Sequence, residues 1–257
     1  MKHHIKLAAA ALSLIALTAC ETAIQTTSGA DYLARYDSTH NTASSASSSV
    51  DADIREIASI EPTLAFPARI GLARIKHGRL ITVPTDESYI WQETVKNLGP
   101  LYGEFVPVSP LITSMVSEQR QEYESREKTL IENIRRGAAR QHLDYVLVYE
   151  VGSSRREKAN ALALADLTII GMFVLPSRSI EIEASASAIL LDVRTGYPYA
   201  TITSHAEKSG VSRAVSEYST GQKLADTAEE RAVLMLASDV ESGMEELAKR
   251  SIEMAAN

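Results

Sequence analysis

The chain contains a single cysteine, Cys20, and its chemistry is the easiest to specify. It is the only thiol available for a disulfide, a nucleophile or an acyl acceptor. Leu17-Thr18-Ala19 precede it and close an apolar run from Leu7 to Leu17 that only Ser13 interrupts. The other reactive side chains are dispersed. Beyond the leader the histidines are His40, His77, His142 and His205, which fall far apart and in different predicted elements. Glu181 and Glu183 share one face of a predicted strand, about 7 Å apart. That separation suits the carboxylate pair of a glycosidase, but a solvated strand face shows the same alternation. Aromatic residues make up 5% of the chain, too few to line a sugar site beside such a pair. Gly-x-Ser-x-Gly, Gly-x-x-x-x-Gly-Lys-Ser/Thr and His-Glu-x-x-His do not occur. The expectation is a non-enzymatic protein with no catalytic, cofactor-binding or metal-ligating residues.

Met1-Lys2-His3-His4-Ile5-Lys6 gives a basic start, and the apolar run and small residues that follow complete the layout of a secretory signal peptide. The run is shorter than the roughly twenty residues a membrane-spanning helix needs. The ending Leu17-Thr18-Ala19-Cys20 resembles the lipobox of bacterial lipoproteins. That resemblance implies cleavage before Cys20 and acylation of the new N-terminal cysteine. Residues 1–19 are then the signal peptide, and 257 − 19 = 238 residues remain. In enteric-type bacteria an aspartate after the cysteine marks inner-membrane retention. Glu21 stands here, which points to the periplasmic face of the outer membrane, with the inner membrane as the alternative. Acylation leaves no thiol for a disulfide. The formal net charge of −7 argues against nucleic acid as a partner.

Residues 20–52 read as a lipidated flexible tether. Asp37-Ser38-Thr39-His40-Asn41-Thr42 runs into Ala43-Ser44-Ser45-Ala46-Ser47-Ser48-Ser49, a composition too polar to offset the entropy of ordering it. Residues 53–257 read as one α/β domain. Ala68 to Ile75 alternates as a strand after Pro67, and Trp91, Val95 and Leu98 recur at helical spacing before Gly99-Pro100. Glu104 to Val108 is a short strand, placed near an edge by Pro107. A charged helix is predicted from about Ser117 to Gln141, with Tyr123, Leu130, Ile134 and Ala138 as its apolar stripe. Strands follow at Tyr145–Val151 and Ser179–Val193. A turn at Asp192 to Tyr197 leads to a partner strand at Tyr199–Thr203. A helix over Gln222–Met254 closes the chain. The order predicts a mixed, partly parallel sheet with packed helices.

The two strands and the ending Leu190-Leu191-Asp192-Val193-Arg194-Thr195-Gly196 resemble the CsgG-like bacterial lipoproteins, the group of the curli secretion channel and of the lipoprotein activators of penicillin-binding proteins. The resemblance covers roughly residues 65–250 in element order and only the hairpin in residues. It implies a lipidated N-terminus and a compact α/β domain. The length, the lipobox and Gly171-Met172-Phe173-Val174-Leu175-Pro176-Ser177-Arg178 would also fit the rhombotarget lipoproteins. Between the strands, Ala161 to Leu175 has only Asp166 and Thr168 as polar residues. Fifteen residues this apolar require cover from the sheet, from another protomer or from lipid. Leu167, Ile169, Ile170, Met172 and Phe173 are its candidate interface residues. The functional expectation is a lipid-anchored accessory or oligomeric component of an envelope secretion or assembly system, partnered by another envelope protein or its own copies. A regulator of a cell-wall synthase is the alternative, and an envelope hydrolase a third reading.

Overall fold

A computed structural model describes residues 21–40, 49–117, 126–159, 178–212 and 217–255. The architecture is a mixed α/β one with a seven-stranded sheet. The strands are β1 (Glu21–Ile24), β2 (Ala68–Lys76), β3 (Arg79–Ile81), β4 (Gly103–Pro107), β5 (Tyr145–Ala159), β6 (Arg178–Asp192) and β7 (Pro198–Ser212). The helices are α1 (Gly29–His40), α2 (Ser49–Ala58), α3 (Thr85–Leu98), α4 (Pro110–Val116), α5 (Arg126–Arg140) and α6 (Glu217–Ala255). The sheet order is β1-β7-β6-β5-β2-β3, and β4 also pairs with β2. Strands β4 and β5 flank β2 in parallel, whereas β5, β6 and β7 form an antiparallel meander. The expected mixed sheet is thus present, and β4 lies off the main path beside β2, where Pro107 ends it.

Alternation along the strands sorts the core into two layers. On one face Ile70, Leu72, Tyr145, Leu147 and the even positions of β6 pack against Trp91 of α3 and against Ala228, Ala232, Leu236, Val240 and Leu247 of α6. With Met244 between the last two, those α6 positions recur three or four residues apart, one stripe of a helix about 58 Å long. On the other face Ala73, Ile75, Val146 and Val148 pack against Ile134 and Ala138 of α5. Gly71 is required there, because a Cβ on it would fall 2.8 Å from Val108 and 2.9 Å from Leu143.

Several elements differ from expectation. The meander strands are each fifteen residues long, so β5 and β7 run well past Val151 and Thr203. Buried Ser204 and Ala206 carry the inward alternation of β7 onward with small side chains, of which Ser204 is polar. The charged helix is α5, described from Arg126 on, and the separate helix α4 precedes it, whose Ser109 hydroxyl accepts from the Ile112 amide at 3.3 Å. Residues 118–125 lie outside the described residues.

The tether expected over residues 20–52 is corrected over its described parts. Strand β1 pairs antiparallel with β7, Glu21 opposite Thr203 and Ile24 opposite Ala200. Long-range groups supply the binding that local composition lacks. The Glu61 carboxylate accepts from the Ala30 amide at 2.8 Å and the Ser28 hydroxyl at 3.1 Å, at the positive end of α1. These bonds hold its pKa below the ordinary carboxylate value. The Tyr197 hydroxyl donates to the Thr27 carbonyl at 3.0 Å. The serine-rich stretch 41–48 lies outside the described residues.

Candidate functional site

The meander turn is built as its residues predict. Asp192 ends β6 fully buried, and its Oδ1 accepts from the amides of Arg194 and Thr195, both at 2.8 Å. Gly196 follows with φ of 78°, a left-handed conformation that suits glycine. Arg135 of α5 donates to the carbonyls of Val193 and Arg194, which ties the turn to the helical layer. The aspartate, threonine and glycine of this segment therefore have structural roles.

Beside the turn, tyrosines of the sheet hold the chain that leads into it. The Tyr199 hydroxyl accepts from the Thr63 amide at 2.8 Å. The Tyr145 hydroxyl accepts from the Ala65 amide at 2.8 Å and donates to the Thr63 carbonyl. The rings of Tyr145 and Tyr199 meet edge to face at 5.6 Å. Burial pushes the Tyr199 phenol up to about 12 and raises that of Tyr145.

A buried ionic cluster lies between β2, β5 and α3. Arg74 is 2% exposed and Glu87 8% exposed. Arg74 Nε donates to Glu87 Oε2 at 2.9 Å, and the Tyr149 hydroxyl donates to the same oxygen at 2.7 Å. The guanidinium also stands 5.4 Å from the Tyr149 ring centroid, and Trp91 meets that ring edge-on at 5.1 Å. Burial, then the Glu87 carboxylate, push the Tyr149 phenol far above its ordinary value. Sequence reasoning missed this cluster. Its signal was Arg74 at the inward parity of Ile70 and Leu72, a charge where the strand pattern calls for an apolar residue.

The carboxylate pair lies on a solvated strand face. Glu181 is exposed, and Glu183 pairs with Arg156 across the strands at 2.8 Å. His77 and His142 occupy turns with φ of 51° and 58°, and His205 is exposed on β7. The three stand in different parts of the fold. Among the described residues no three of His, Cys, Asp and Glu gather as metal ligands. Helix α5 leaves part of its face of the sheet uncovered. A groove of about 600 Å³ there has Val148 and Ile189 on its floor, Leu130 and Ile131 on its wall, and Glu127 and Glu150 among its lining residues.

Cys20, Leu167, Ile169, Ile170, Met172 and Phe173 lie outside the described residues. The flanks of the apolar segment are held side by side, since Ala159 pairs with Arg178. No helix among the described residues is long and apolar enough to cross a membrane.

No protein-family model matches the chain, and no curated protein matches it. Among solved structures, the PelC dodecamer from Paraburkholderia phytofirmans is similar over 71% of this chain and 92% of that one, with 14% identity and a TM-score of 0.30. A minor lipoprotein from Acinetobacter baumannii is similar over 72% and 97%, with 10% identity and a TM-score of 0.30. The hypothetical protein CT253 from Chlamydia trachomatis is similar over 68% and 96%, with 9% identity and a TM-score of 0.27. At these TM-scores the likenesses assign neither a family nor a function to this chain.

Proposed function

We propose that the protein is a lipid-anchored binding component of the bacterial envelope, held at the periplasmic face of the outer membrane through acylated Cys20, and that it works by association rather than catalysis. The observation that carries this reading is Leu17-Thr18-Ala19-Cys20, with Cys20 one residue before β1. The polar clusters support a binding role, because each is engaged in holding the fold: Asp192 in its turn, Glu61 at α1, Glu87 on Arg74. The partner is another envelope protein or a second copy, consistent with exposed Leu101, Leu111 and Met115. The CsgG-like assignment rests on element order and on the Leu190–Gly196 segment. A synthase regulator reaching towards the wall needs a long flexible arm, and the pairing of β1 with β7 shortens that arm. The test is fractionation of Cys20→Ser with gel filtration of detergent-extracted wild type. The proposal expects loss of mature protein from the membrane fraction, and a stable complex or oligomer for the wild type. Mature membrane-bound Cys20→Ser protein, or a monomer that captures nothing after crosslinking, would overturn it.

A further inference from the structure

Helix α2 carries its large apolar residues on the outside. Val50 is 60% exposed, Ile54 40% and Ile57 70%. Their spacing of four and three residues puts them in one stripe, only about 60° wide at 100° per residue. Asp51, Asp53, Arg55 and Glu56 occupy the rest of the helix surface. An exposed stripe of this kind on a short helix calls for something to cover it.

Its position in the chain says what does. In a protein processed before Cys20, the only residue preceding β1 is the cysteine itself. Its Cα is about 3.8 Å from that of Glu21. Strand β1 spans about 10 Å between Glu21 and Ile24 at the usual strand rise. Ile24 then lines one cavity of about 510 Å³ together with Tyr32 of α1 and Ile57 of α2. The end of α2 abuts the start of α1, where a Cβ on Gly29 would fall 2.5 Å from the Ala58 carbonyl oxygen. The Ile57 end of the stripe therefore stands beside the strand that follows the anchor and beside the start of α1. Helix α2 itself is only about 15 Å long.

We infer that α2 lies in the membrane interface, with Val50, Ile54 and Ile57 at the boundary of headgroups and acyl chains. This rests on the anchoring proposed above. An acyl chain already in the bilayer makes the second contact intramolecular, so a small apolar stripe suffices to hold the orientation. The acidic excess on the other faces of α2 means that anionic lipid is not what attracts it. The domain sits flush on the membrane in a fixed orientation, rather than swinging on a tether.

The test uses the full lipidated protein reconstituted in phosphatidylethanolamine-rich vesicles that contain a nitroxide-bearing lipid. Acylated Cys20 takes no thiol reagent, so Ile57→Cys, Val50→Cys and Glu56→Cys each give one fluorescent position on an exposed site. The inference expects severalfold stronger quenching at positions 57 and 50 than at 56. Equal and weak quenching at all three overturns it. Self-quenching between labels at position 57 without quenching by lipid also overturns it, and assigns the stripe to a second copy. The intact mass of the same sample reports acylation separately. Acylated protein with an unquenched stripe refutes the orientation and leaves the anchor standing, whereas protein without acyl chains refutes the anchor.

Discussion

Glu87→Ala is the perturbation whose consequence follows most directly from the structure. The Arg74 side chain is 2% exposed, and Nε donates to both Glu87 oxygens, at 3.1 and 2.9 Å. Removing the carboxylate leaves a guanidinium with no counter-charge in a place water does not reach. Breaking one partner of a buried pair costs about 3–5 kcal/mol. The Tyr149 hydroxyl also loses its acceptor, an effect of about 1–3 kcal/mol taken alone. The two losses share one site and do not simply add, so the expected cost is about 4 kcal/mol. With a urea slope of about 2 kcal/mol per molar, the midpoint falls by about 2 M. Arg74→Met combined with Glu87→Leu removes both charges and fills the space, and costs far less than the single change. Equilibrium urea denaturation followed by Trp91 fluorescence reads both variants. A cost below about 1 kcal/mol for Glu87→Ala would refute the burial argument, as would a double variant no more stable than the single one.

Three further outcomes follow from the same contacts. Because the folded pKa of Glu61 is lowered from 4.5, its contribution is present above that value and is lost as pH falls through the lowered one; the protection factor of the Ala30 amide, its exchange rate relative to the intrinsic rate at each pH, should fall on acidification in the wild type and be lower and independent of pH in Glu61→Gln. Because the Tyr199 phenol is raised from 10.0 to about 12, its contribution is intact below the former and lost as pH rises through the latter; Tyr199→Phe should lose a late-titrating phenolate absorbance and reduce the alkaline slope of stability. Asp192→Ala deprives two amides of their buried acceptor and should cost about 2 kcal/mol in a thermal melt, with no loss if the turn amides find water instead.

The central strands were legible because alternation is a local signal. Ala68–Lys76 and Arg178–Asp192 fall within one or two residues of their predicted bounds. The Asp192 to Gly196 turn was legible because each residue solves a local problem, two amides to satisfy and one positive φ. What escaped was held by distant partners. Nothing in Glu21–Ile24 or Gly29–His40 announces order, because the Glu61 carboxylate and the Tyr197 hydroxyl that hold α1 and its approach come from elsewhere in the chain. The Arg74–Glu87–Tyr149 cluster joins three elements and was hinted at only by a charge at an inward position. At the candidate site, Cys20 is an expectation drawn from its spacing from the apolar leader, and it lies outside the described residues. The exposed stripe of α2 was hidden by composition, since Val50 and Ile54 sit at the end of a run of serines.

The mass of the N-terminal peptide of protein extracted from membranes tests the anchoring most directly. The account predicts a mature chain that begins at Cys20 and carries the added mass of acyl chains on that residue. A chain that begins elsewhere, or a Cys20 with a free thiol, would contradict it.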